Sequence, residues 1–68
     1  MTATVIFYYP DKGYGYLRLT GTREEFHFRR SNLLDPAAPP AAGSLVTFVL
    51  RRNRQGYFAD DVRPAGLA

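Results

Sequence analysis

Sixty-eight residues allow one small domain, and the absence of cysteine excludes both a disulfide framework and a thiolate zinc site. One histidine and six carboxylates leave little from which to assemble an all-protein metal site, so neither metal nor cofactor is expected. Nine basic residues (eight Arg, one Lys) against six acidic ones give a net charge of +3, and ten residues are aromatic. Small size, positive charge, Arg and aromatic rings together favour a nucleic-acid-binding module over an enzyme.

The N-terminal segment Met1-Thr-Ala-Thr-Val-Ile-Phe7 carries no basic flank, long apolar run or small-residue cleavage site. No stretch approaches the roughly 18 apolar residues of a membrane span. The expected setting is the cytoplasm, with no membrane and no small-molecule substrate. Turn signals then cut the chain into five short strands. Residues 2–9 are rich in β-branched and aromatic side chains and stop at the turn cluster Pro10-Asp-Lys-Gly13. Residues 14–19 alternate Tyr, Gly, Tyr, Leu, Arg, Leu and break at Thr20-Gly-Thr22. Residues 25–29 alternate Glu, Phe, His, Phe, Arg, and Ser31-Asn-Leu-Leu34 offers a single helical turn capped by Ser31. A Pro/Ala loop over 35–43 can be neither helix interior nor central strand. Residues 45–51 form the fourth strand, Asn53-Arg-Gln-Gly56 a hairpin turn, and residues 57–62 the fifth strand.

Short strands with turns every 8–12 residues or so mean a small barrel or sandwich. At this length a five-stranded antiparallel barrel is the economical form, because closure removes exposed sheet edges. One domain over residues 1–64 and a C-terminal tail over 65–68 are expected, in a monomer.

Period-two alternation assigns the faces. Gly15, Leu17 and Leu19 share one side of the second strand, and Tyr14, Tyr16 and Arg18 the other. Phe26 and Phe28 oppose Glu25, His27 and Arg29 in the third. Val46, Phe48 and Leu50 add a third inward set, with Val5 and Val62 completing the core. Two tyrosines, a histidine and two arginines are left on neighbouring strands of one outer surface. Exposed rings beside cations make a stacking platform for unpaired bases, each stack being worth about 1–3 kcal/mol. Gly13 supplies the turn before this platform, and Gly15 leaves room beneath the two tyrosines.

Lys12-Gly-Tyr-Gly-Tyr-Leu17 resembles the Lys-Gly-Phe-Gly-Phe-Ile motif of cold-shock domains. Gly43-Ser-Leu-Val-Thr-Phe-Val-Leu50 is similar to that family's Gly-x-x-Val-x-Phe-x-Ile fourth strand. Gly56 and residues 59–62 match the spacing of its Gly-Pro-x-Ala-x-Asn-Val ending. The resemblance covers nearly the whole chain and implies an OB-type barrel that binds single-stranded RNA or DNA and melts or chaperones RNA structure. It places Phe7 at the family's exposed Trp, Tyr8 at the following Phe, and Tyr57 beside the ligand groove. The third strand fits the family's second motif, Val-Phe-Val-His-Phe-Ser, in two ways. Anchoring on Ser31 and Leu33, with one extra residue in the preceding turn, sets His27, Arg29 and Arg30 at the base-contacting positions. The ungapped fit sets Phe26 at the family Phe and turns His27 into the core. The first is preferred, since it buries Phe26 and Phe28 and exposes every polar residue. Ile6 stands where the family has a contacting Lys, and the Pro/Ala loop lacks its frequent aromatic.

The binding set implied is thus Phe7, Tyr14, Tyr16 and His27 for stacking, Lys12, Arg18, Arg29 and Arg30 for phosphate or planar stacking, and Tyr8 and Tyr57 beside them. Alternatives are a Tudor-like or Sm-like small barrel that puts the same rings on a peptide, and an oligomer interface. His27 has no partner at a spacing useful for catalysis. Asp60-Asp61 reads as an edge-strand pair rather than a metal pair, and Arg51, Arg52 and Arg54 as a basic hairpin tip.

Overall fold

A computed structural model describes residues 1–65. The alternating segments form the strands β1 (Thr2–Tyr9), β2 (Tyr14–Leu19), β3 (Glu25–Arg29), β4 (Leu45–Asn53) and β5 (Gly56–Pro64). All pair antiparallel in one five-stranded sheet of order β3-β2-β1-β4-β5. The first three strands begin and end where the turn residues place them. β4 and β5 run longer than expected because the Asn53–Gly56 pair closes the hairpin and Thr47 and Val46 pair with Arg63 and Pro64 at its far end. Ala65 N–H still donates to Leu45 O at 3.0 Å, one residue past the expected end of the domain at 64. The rest of the expected tail, residues 66–68, lies outside the described residues.

The sheet is not closed by hydrogen bonds into the expected barrel. Among the described residues β3 and β5 share no ladder; they meet through side chains, and a single parallel bridge joins Leu33, just past the 3-10 turn, to Val62 of β5. No helix among the described residues is long and apolar enough to cross a membrane.

The core lies on the concave side. Val5, Leu17, Phe28, Val46 and Phe48 are buried there, as alternation requires, together with Val62, and Phe26 and Leu50 pack against them. No polar side chain among the described residues is buried with them. The Ser31 cap is a correction. The 3-10 turn spans Arg30–Asn32, its cap is Arg29, and Asn32 Oδ1 accepts from Arg29 N at 2.9 Å. An amide one residue further along suits the geometry, because it folds back onto the backbone of residue i−3.

Two irregularities shape the sheet. Val5 pairs with Leu17 but Phe7 pairs with Tyr16, so Ile6 is an extra residue in β1. Before it β1 lies along β4 at Thr2, Ala3 and Thr4, and Val5 still exchanges hydrogen bonds with Gly43 and Ser44 at the end of the Pro/Ala loop. After it β1 follows β2 alone, the bend expected of a bulge. The second irregularity sits in β5, where Asp61 adopts a left-handed φ of 49°. Asp60 holds it in place. Its carboxylate accepts from Asp61 N at 2.9 Å, Asn32 Nδ2 at 3.2 Å and Arg51 Nε at 2.6 Å. The Asp60-Asp61 pair is therefore a bulge clamp joining β4, β5 and the 3-10 turn.

Burial pushes the Asp60 carboxyl up, but the bonds from Asp61, Asn32 and Arg51 and the Arg51 charge outweigh it and hold the group below the ordinary carboxylate value. A lowered value in the folded state means that the ionised form favours folding. The contribution is complete at neutral pH and is lost as the pH falls below about 4, through the lowered value. Asp60→Asn should lower the thermal midpoint at pH 7 by a few degrees, and the gap to wild type should close in an acid titration followed by circular dichroism. Phe28, fully buried, makes a separate test. Phe28→Ala should cost about 3–5 kcal/mol in urea unfolding, enough to leave so small a domain largely unfolded.

Candidate nucleic-acid interface

The bulge at Ile6 determines which rings of β1 reach the outer face. Strict alternation from Ala3 and Val5 would send Phe7 and Tyr9 inward and Tyr8 outward. With one residue inserted, Phe7 and Tyr9 come out and Tyr8 goes in. Tyr8 is half-buried, packs against the core and stacks on Phe28 with centroids 5.6 Å apart and planes 7° from parallel. Tyr8, expected among the binding residues, thus lies on the core side rather than with the outer rings.

Cross-strand pairing then assembles the outer face. Phe7 lies opposite Tyr16, and Tyr16 opposite His27. Ring centroids are 5.4 Å apart for the first pair and 6.3 Å for the second. The row continues across the seam between β3 and β5 to Phe58, 6.3 Å from His27. A second row sets Tyr9 opposite Tyr14 and Tyr14 opposite Arg29. Phe7 is the hub, 4.7 Å from Tyr9 and 6.4 Å from Tyr14, so it is half-buried by its neighbours while Tyr9, Tyr14 and Tyr16 remain 36–42% exposed. His27 faces outward and Phe28 inward, as the gapped reading of the third strand requires.

Gly15 makes this layout possible from below. It pairs with Tyr8 on one side and Phe28 on the other, so their rings close over it. A Cβ there would sit 2.8 Å from Tyr8 Cα and closer still to Phe7 O, both backbone atoms that have nowhere to move. Gly13, at φ 74°, completes the turn in which Tyr9 O accepts from Lys12 N and Gly13 N.

The expected cations divide into engaged and unengaged groups. Lys12 lies 5.4 Å over the Tyr9 ring, at the rim of the platform. Arg18 pairs with Glu25 at 3.1 Å one row beyond the aromatics, an exposed and therefore weak bond. Arg30 turns away from the rings. Its guanidinium donates to Pro10 O and packs over Gly13, and its N–H donates to Gly13 O at 2.9 Å, so it braces the β1–β2 turn. Arg29 is exposed at the end of the Tyr9–Tyr14 row and makes no ion pair among the described residues. Tyr57 is not brought to the platform. It shares the Ala59 side of β5 and carries Arg52 at 5.9 Å, with no aromatic neighbour among the described residues.

Tyr9 and Phe58 are the residues that sequence reasoning missed. Tyr9 had no signal, because a bulge leaves no mark in the hydrophobic pattern. Phe58 had one: small apolar Ala59 belongs to the core, so alternation turns Phe58, not Tyr57, to the outer face.

Comparison of the sequence with protein-family models and with curated proteins finds no match. The adjacent tyrosines of β1 test the bulge directly. Tyr8→Ala should destabilise the fold by about 2–4 kcal/mol in chemical denaturation, whereas Tyr9→Ala should stay within about 1 kcal/mol of wild type.

Proposed function

We propose that this chain binds single-stranded nucleic acid, stacking unpaired bases on its outer aromatic face and holding phosphates with the arginines and lysine around it. The observation that carries this reading is the continuous surface of Phe7, Tyr9, Tyr14, Tyr16, His27 and Phe58, which runs from β1 across β2 and β3 to β5. Soluble proteins do not leave so many adjacent rings uncovered without a use for them. A peptide would need pockets between the rings, whereas bases need only flat faces at intervals. The spacing between neighbouring centroids, 4.7–6.4 Å, suits bases of an extended strand laid one after another. The resemblance of residues 12–17 to the cold-shock motif, and of the fourth and fifth strands to that family's, supports the same reading.

The proposed mechanism makes and breaks no covalent bonds. A protein that binds the unpaired strand and not the duplex shifts the nucleic acid's own folding equilibrium by mass action. In this role it acts as a cytoplasmic monomer that keeps RNA structure open. With Arg30 occupied in the turn, Arg29 is the main arginine contact of the upper platform. Arg18 joins it when phosphate displaces Glu25.

A fluorescence titration against pyrimidine single strands at two salt concentrations, with the matching duplex as control, tests the proposal. Tyr16→Ala should weaken binding about five- to 150-fold, while Tyr16→Phe should be nearly neutral because the ring and not the hydroxyl stacks. Arg29→Gln should flatten the dependence of log affinity on log salt by about 0.7. Equal binding of duplex and single strand would sink the stacking of unpaired bases, and an affinity insensitive to salt would sink the reading in favour of a protein-interaction module.

A further inference from the structure

His27 is the one histidine of the chain, and histidine is the side chain whose charge ordinarily changes near neutral pH. It sits half-buried in the middle of the outer row, with the rings of Tyr16 and Phe58 each 6.3 Å away on either side. It also lines a cleft of about 470 Å³ between the end of β3 and the tip of the β4–β5 hairpin. The charged groups around it are few. On its own strand, Arg29 lies towards the cleft, and Glu25 lies the other way, paired with Arg18 of β2 at 3.1 Å. On the hairpin, Arg54 lines the cleft opposite β3. Asp60 shares the Phe58 side of β5, but its carboxylate is committed to Asp61 N–H, Asn32 and Arg51. Arg29 and Arg54 make no ion pair among the described residues, and no carboxylate lines the cleft.

The free protein therefore offers an imidazolium at this position no anionic partner within the cleft. A bound strand supplies one. Bases stacked on Tyr16 and on Phe58 are joined by backbone that passes His27, and each linkage carries a negative phosphate. Neutral imidazole donates from one nitrogen, whereas imidazolium donates from both. A bond from a charged donor to a phosphate oxygen is about twice as strong as a neutral one. We infer that binding of a single strand is coupled to protonation of His27, so that the platform holds its ligand more tightly as the pH falls through the histidine range. The inference rests on the reading that the aromatic face binds single strands. It adds a pH dependence that the tyrosines and arginines of that face do not supply, since neither titrates near neutrality. Linkage makes the coupling reciprocal: the factor by which the strand favours imidazolium is the factor by which protonation favours the strand.

The test is a titration of the full chain with an oligouridylate lacking terminal phosphates, a ligand with no group of its own that titrates near neutrality. Affinity should rise about three- to tenfold between about pH 8 and pH 5.5. Asp60 is held below the ordinary carboxylate value, so its clamp stays ionised throughout that range. His27→Phe keeps a ring and loses the proton, and its affinity should stay constant across the same interval. That variant retains the Met1 amine, which donates to Phe48 O at 3.0 Å and also titrates at the upper end of the range, so it controls for that group. As a second readout, the ring resonances of the one histidine should titrate at higher pH with the strand bound than without it. A wild-type affinity independent of pH, a dependence that survives His27→Phe, or a histidine titration that the strand does not move overturns the coupling and leaves the strand-binding reading standing. Failure of every pyrimidine strand to bind at either pH overturns both.

Discussion

One inserted residue, Ile6, governs how the rest of the molecule is arranged. Side chains of a strand alternate with a strict period of two, so a chain that buries Ala3 and Val5 has no regular way to expose Phe7. The insertion reverses the parity of everything after it. Phe7 and Tyr9 move to the face already occupied by Tyr14 and Tyr16, and Tyr8 drops onto Phe28. The same insertion bends β1 off β4, which lets a five-stranded sheet curl until β3 and β5 face one another. The outer aromatic surface and the curvature that carries it to β5 thus have a common origin.

Gly15 is the counterpart of that insertion. Where the backbone of β1 comes down on β2 after the bulge, no side chain fits between Phe7 O and Tyr8 Cα. A glycine in a strand interior ordinarily weakens the sheet, and here the loss is offset by the two rings that close over it from either side. The result is a two-sided layer: a stacked pair beneath β2, facing the core, and a hub of rings above it, facing solvent.

The charges are distributed with the same economy. Arg51 holds the second bulge through Asp60 and Asp61, Arg30 braces the β1–β2 turn, and Arg18 neutralises Glu25. Of the remaining arginines, Arg29 and Arg54 line the cleft between the end of β3 and the β4–β5 hairpin.

The sequence by itself determined the five strands, their turns and the buried faces of β2, β3 and β4. Each of these is written in local chemistry: alternation of apolar and polar residues, Gly and Pro at the breaks, and small or branched residues where the sheet folds back. It also determined that Tyr14, Tyr16, His27 and Arg29 share one outer face, because each lies on an uninterrupted strand. The tertiary structure alone decided the parity of β1 after Ile6 and of β5 after Asp61, since a bulge depends on how the strand must bend and leaves the apolar pattern unchanged. It decided the fates of Arg18 and Arg30, whose partners Glu25 and Pro10 are distant in sequence and meet them only through pairing and turn packing. It decided, too, that the sheet stays open in its hydrogen bonding and that Phe58 crosses the seam to His27. The meeting of first and last elements is a property of the whole curl, and no local pattern encodes it.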